Sequence, residues 1–192
     1  MRRLTPGLTP ALLALAAVAA LPATARLAAA QAAPAQRPVS SPRETVRATV
    51  GGVRVMVDYG RPSKRGRTIF AAAESRPLVP YGKVWRTGAN AATGLVTSGD
   101  LLVGATRLPK GSYTLYTIPS ATGWQLVVNG QTGQWGTDYD QSKDVARIPM
   151  QVTSLGAPVE QFTIAVEPQG GAQSLVMRWD TVQAAVPLRP AR

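Results

Sequence analysis

Apolar residues recur at every second position along most of this chain and at helical spacing almost nowhere, which restricts the fold to strands. In VGGVRVMVDYG, Val53, Val55 and Val57 alternate with Arg54, Met56 and Asp58. The Gly51-Gly52 pair predicts a two-residue turn that joins this strand to Thr45–Val50 as a hairpin. Phe162, Ile164 and Val166 share one face of another strand, as do Leu175, Met177 and Trp179 of a third. Further strands are predicted over 94–97, 100–103, 112–118, 124–129, 145–153, 161–166, 174–179 and 181–186. Separated by Gly, Pro and Asn turns at roughly ten-residue spacing, they predict an all-β antiparallel sandwich of about 8 to 10 strands. A closed barrel is the alternative.

The first thirty residues are different in kind. Met1, Arg2 and Arg3 give a positive start, Ala11 to Leu21 follow as an uncharged apolar run, and Ala28 and Ala30 place small residues before Gln31. This is the layout of a cleaved secretory signal, and the run is roughly half the length a membrane-spanning helix needs. We therefore read 1–30 as a signal peptide for the periplasm or the exterior. Residues 31–43, rich in Ala, Pro and Gln, read as a disordered leader, and 44–188 as one domain. The chain has no cysteine, so a lipid anchor on a new N-terminal cysteine is excluded and no disulfide holds the domain. No stable membrane anchor is expected.

Without its signal the chain keeps 18 Lys and Arg against 10 Asp and Glu. Arg61, Lys64, Arg65, Arg67, Arg76, Lys83 and Arg86 fall within 26 residues that hold Glu74 as their one opposing charge. An anionic partner follows. In an exported protein it is not nucleic acid, but an anionic or glycan-like component of the envelope. The competing reading is that these cations are solvated or bond to main-chain carbonyls.

The cluster lies in the interval from Tyr59 to Asn90, YGRPSKRGRTIFAAAESRPLVPYGKVWRTGAN, which is too long and too poor in strand pattern to be an ordinary connection. Tyr81 and Trp85 argue that it is ordered, and Gly82 and Gly88 permit tight turns there. LPKGSYTLYTIP adds a turn before a strand whose Tyr113 is predicted to bury its ring and bond its hydroxyl back to the turn. Together with WGTDYDQSKDV, these segments resemble the bacterial family called domain of unknown function 2911, over a span from Ser41 to about Val186. The resemblance implies an exported β-rich domain and no assigned activity. Its pattern matches Tyr59, Arg61, Pro62, Ser63, Gly66 and Arg67, then Pro80, Tyr81, Gly82, Trp85, Arg86, Gly88, Ala89 and Asn90. Ala91 stands where many relatives have glutamate, and Ala71–Pro77 is longer than usual.

Lack of both cysteine and histidine removes Ser-His-Asp catalysis, thiol nucleophiles and the usual zinc sites, and no cofactor or metal is expected. Asp138, Asp140, Ser142 and Asp144 alternate like the start of a calcium loop, but Lys143 and Pro149 occupy the positions where Gly and Glu belong. A polar loop is the better reading. Adjacent Ser63 and Lys64 point to opposite sides of an extended chain and do not make a dyad. The favoured function is a non-catalytic binding domain, with Arg61, Lys64, Arg65, Tyr81, Lys83, Trp85, Arg86 and Asn90 as the ligand-binding set. A glycan hydrolase built on two carboxylates is one alternative. The other is a purely structural envelope protein in which Trp85 and Tyr81 are core and Arg86 caps carbonyls.

Overall fold

A computed structural model describes residues 40–191; the signal segment and most of the leader lie outside them. The first strand, β1 (Arg43–Val50), begins one residue ahead of the predicted start and pairs antiparallel with β2 (Val53–Gly60). Gly51 and Gly52 both take positive φ, 52° and 87°, the conformation that matches the twist of a two-residue hairpin. Short β3 (Phe70–Ala71) and β4 (Val79–Pro80) pair parallel to each other apart from the main sheet. Between them the extra residues form an exposed 3-10 turn at Ala73–Ser75. The interval 59–90 is thus an ordered excursion rather than a bare loop.

The remaining strands are β5 (Thr93–Thr97), β6 (Leu101–Val103), β7 (Thr106–Leu108), β8 (Gly111–Pro119), β9 (Trp124–Asn129), β10 (Asp144–Gln169) and β11 (Ala172–Pro190). Nine strands form one sheet in the order β1-β2-β5-β8-β9-β10-β11-β6-β7, antiparallel throughout. Strands β10 and β11 each join two segments that the apolar pattern separates. The join in β11 is Asp180, whose φ of 51° interrupts the alternation without ending the strand. Opposite it, β10 shifts register between Ser154 and Val159 and again before Thr163. Such bulges bend a strand.

The bend folds the sheet onto itself. Strands β2 and β10 are not neighbours in the sheet, yet the rings of Tyr59 and Phe162 meet edge to face with centroids 5.7 Å apart. The architecture is therefore sandwich-like, with a single apolar core between the two halves of one sheet, and it is not a closed barrel. Tyr113 packs against this core and donates its hydroxyl to the carbonyl of Pro109 at 2.8 Å, as the turn sequence predicts. Asn129 ends β9 fully buried: its amide donates to the Asp140 carbonyl and the Asp144 carboxylate, both at 2.9 Å. That contact ties down the segment from Gln131 to Lys143, which crosses the outer face of β8. No helix among the described residues is long and apolar enough to cross a membrane.

Candidate functional site

One end of the sandwich carries a cleft of about 580 Å³. Its floor is aromatic. Trp85 and Trp179 stack at 5.6 Å with planes 19° apart, and Phe70, Phe162 and Trp124 pack around Trp85 edge-on. Trp85 reaches this place because its segment bridges the middle of β8: its N–H donates to the Thr117 carbonyl at 2.8 Å, and Thr117 N–H returns a bond at 2.9 Å.

Three stretches of chain form the walls. The first follows β2, where Lys64 N–H donates to the Glu160 carbonyl at 2.7 Å and the chain turns through Arg65 and Gly66, both at positive φ. The second is Arg86 to Asn90. Here Thr87 is fully buried at a φ of 50°, an uncommon and strained conformation for a β-branched residue. Its carbonyl accepts from the Thr93 hydroxyl at 2.7 Å, and its own hydroxyl donates toward Thr117 Oγ1 at 3.2 Å. These bonds hold the kink that presents Arg86 on one side and Asn90 on the other. The third wall is Gly136 to Tyr139, joined to the second by the Gly136 N–H, which donates to the Asn90 carbonyl at 3.0 Å. A Cβ on Gly136 would lie 2.4 Å from Arg86 Cδ, so the arginine stem occupies the space that glycine leaves.

Arg65, Trp85, Arg86 and Asn90 of the predicted set line this cleft together. Arg61, Lys64, Tyr81 and Lys83 do not. Arg61 is a strut: it ion-pairs with Glu44 and donates to the Phe162 carbonyl at 3.1 Å and the Thr163 hydroxyl at 2.9 Å. Lys64 is paired with Asp180 at 2.5 Å. Tyr81 bonds through its backbone to the Ala71 carbonyl at 2.9 Å, and Lys83 is exposed away from the cleft. Arg67, Tyr116, Tyr139 and Trp179 also line the cleft, although the sequence pattern does not place them in a site. Tyr139 and Gly136 belong to WGTDYDQSKDV, but nothing local in that motif says that it faces residues almost fifty positions earlier.

The electrostatics are one-sided, because among the described residues no aspartate or glutamate lines the cleft. Burial raises the hydroxyl pKa of both Tyr116 and Tyr139, so both are neutral at physiological pH. Their hydroxyls are also engaged: Tyr139 donates to Asp144 at 2.6 Å, and Tyr116 accepts from the Gln134 amide at 3.1 Å. Arg67 bonds to the carbonyls of Ser63 and Lys64, and Arg65 to that of Ser40. Arg86 differs from these, since its guanidinium makes no hydrogen bond or ion pair among the described residues and caps no carbonyl. Among the described residues that line the cleft there is no pair of carboxylates. The alternating acids near 140 are used locally: Asp140 accepts from Ser142 N–H and Asp144 pairs with Arg147 at 2.8 Å. Among the described residues no group of acids is arranged to hold a metal ion.

Residues 41–188 match the family described as protein of unknown function (DUF2911). The match spans most of the chain, which therefore belongs to that family. Searches among curated proteins and solved structures matched nothing. Within the family's motif residues the structure separates two jobs. Tyr59 and Arg61 knit the sandwich together, Arg86 and Asn90 face the cleft, and Gly88 does both, packing on Gly60 while lining the cleft.

Proposed function

We propose that this member of the family is an exported, non-catalytic binding domain, and that its aromatic cleft takes an anionic, glycan-like ligand of the envelope. The observation that carries the reading is Arg86, an unpaired guanidinium in a partly buried setting lined by no carboxylate. A charge placed so costs stability unless something outside the fold completes it. Its planar fork matches the two oxygens of a carboxylate. Arg65 and Arg67 add positive potential at the rim, and exposed Leu78 and Val84, with the edge of the buried indole stack beneath, supply an apolar surface for a ring.

Quenching of tryptophan fluorescence on titration with uronic acids tests this, since Trp85 and Trp179 form the floor. Arg86→Ala is expected to weaken binding roughly ten- to a hundredfold, the worth of charge-assisted hydrogen bonds, and not to lower the melting temperature, since it removes an unpaired charge from the fold. Arg61→Ala is expected to do the reverse, lowering the melting temperature by several degrees while binding persists, because its partners all lie in the sandwich. Binding by Arg86→Ala equal to that of the wild type sinks the reading.

Export rests on the N-terminal pattern and on the compartment it implies. N-terminal sequencing of the protein recovered outside the cytoplasm is expected to begin at Gln31. A mature chain that still starts at Met1 contradicts it.

A further inference from the structure

Six large apolar side chains are conspicuously exposed among the described residues, and they are not scattered at random. Leu78, 45% exposed, and Val84, 37% exposed, both line the basic cleft. The most exposed of all is Trp135, at 52%, one residue before the cleft wall at Gly136. Single exposed aliphatics need no explanation, but three apolar groups gathered at one cationic cleft do.

Trp135 is not exposed through looseness. Its segment runs as a short bridge against Ala91, the Ala92 N–H donates to the Gln134 carbonyl at 3.2 Å, and the Asp138 N–H donates to the Trp135 carbonyl at 3.0 Å. On either side the chain faces inward: the Gln134 amide donates to Thr114 and Tyr116, and Gly136 is buried where any Cβ would run into Arg86 and the Asn90 carbonyl. Trp135 opens the turn that the Asp138 N–H closes on its carbonyl, and its side chain is left exposed beside the wall. The indole has no aromatic partner among the described residues, unlike Trp85, Trp124 and Trp179. A hydrogen-bonded backbone therefore holds out a bare indole one residue before Gly136, the cleft-wall residue that packs on the Arg86 stem.

Resting on the reading of the cleft given above, we propose that the ligand is an acidic oligosaccharide rather than a single small anion. One uronate sits in the cleft with its carboxylate on Arg86, and the chain continues over the 134–137 wall so that a further sugar ring lies on Trp135. A sugar acid suits this surface because it joins a charged edge to an apolar C–H face, and the cleft offers a free cation beside Leu78, Val84 and the indoles. Inorganic phosphate would use the cations alone and gain nothing from the apolar groups.

The test compares hexamers of galacturonate and of mannuronate with their monomers on the whole mature protein, by calorimetry. In the wild type at least one hexamer is expected to bind about tenfold or more tightly than its monomer, the gain expected from covering an indole face. Trp135→Ala is expected to collapse that gain, and Trp135→Phe to restore most of it. A hexamer no tighter than its monomer, or a gain that survives Trp135→Ala, overturns the extended ligand while the cleft reading stands. Failure of every uronate to bind, or binding that Arg86→Ala does not weaken, overturns the cleft reading itself. Tighter binding of phosphate than of any uronate overturns the assignment to a sugar acid.

Discussion

Replacing Gly60 with alanine is expected to cost this domain about 3 kcal/mol or more, at the severe end for overpacking, and to lower its melting temperature by about 10 °C. Gly60 ends β2, and a Cβ there would lie 2.2 Å from the carbonyl oxygen of Ala89 and 3.0 Å from its carbon. Those atoms are backbone and cannot rotate aside. Gly88 makes the reciprocal contact, since a Cβ on it would lie 2.8 Å from the Gly60 oxygen, and its φ of 151° is open to glycine almost alone. Two stretches of main chain thus touch with nothing between them. To admit a methyl group the 86–92 segment would have to move away from β2, against the bonds that hold Thr87 to Thr93 and Trp85 to Thr117. The same movement would displace Arg86, so uronate binding is expected to fall even at temperatures where Gly60→Ala remains folded. Thermal melts followed by far-UV circular dichroism, paired with fluorescence titration, read both effects. A variant that melts with the wild type would mean that the two segments separate freely.

This contact also shows why the sequence discloses the fold more readily than the site. Alternation of apolar residues is a local signal, and Gly51-Gly52 is a local turn, so β1 and β2 can be drawn from a dozen letters. Where a strand bends, the signal fails: Asp180 and the bulge opposite it split β10 and β11 into pieces because each shifts which residues face the core. The cleft is harder still. Arg65, Trp85, Arg86 and Asn90 come from one basic, aromatic interval and are visible together. The opposite wall, Gly136 to Tyr139, arrives by the long-range pairing of Ala91 with Trp135, for which no spacing rule exists.

Charge clustering misleads for a related reason. Seven cations in one interval suggest a common purpose, yet the structure uses several of them as struts, some with partners far away in the chain and Arg67 with carbonyls three and four residues back. Glu44 occupies Arg61, Asp180 occupies Lys64, and main-chain carbonyls occupy much of Arg65 and Arg67. Subtracting these leaves Arg76, Lys83 and Arg86, and of the three Arg86 alone lines the cleft beside the stacked indoles.

The stack itself is open to a direct measurement. Trp179→Ala is expected to destabilise the domain by about 3 to 5 kcal/mol, the range for removing a large buried aromatic, which is a drop of about 10 °C or more in melting temperature. Trp179 is fully buried and touches Trp85, Phe70 and Phe162. Its indole N–H also donates to the Glu160 carbonyl at 3.2 Å, beside the Lys64 bond to the same oxygen. Trp179→Phe keeps a ring in the gap and loses that bond, so its cost is expected to be far smaller, about 1 kcal/mol plus whatever volume is left unfilled. Near-UV circular dichroism distinguishes packing from spectroscopy. Trp85 contacts two indoles, Trp179 at 5.6 Å and Trp124 at 6.4 Å, so Trp179→Phe is expected to change the near-UV signal by the share of the first pair and leave that of the second, although the variant stays folded. Should the near-UV spectrum of Trp179→Phe equal that of the wild type, the Trp85–Trp179 pair contributes nothing and the stack is not formed as these contacts place it.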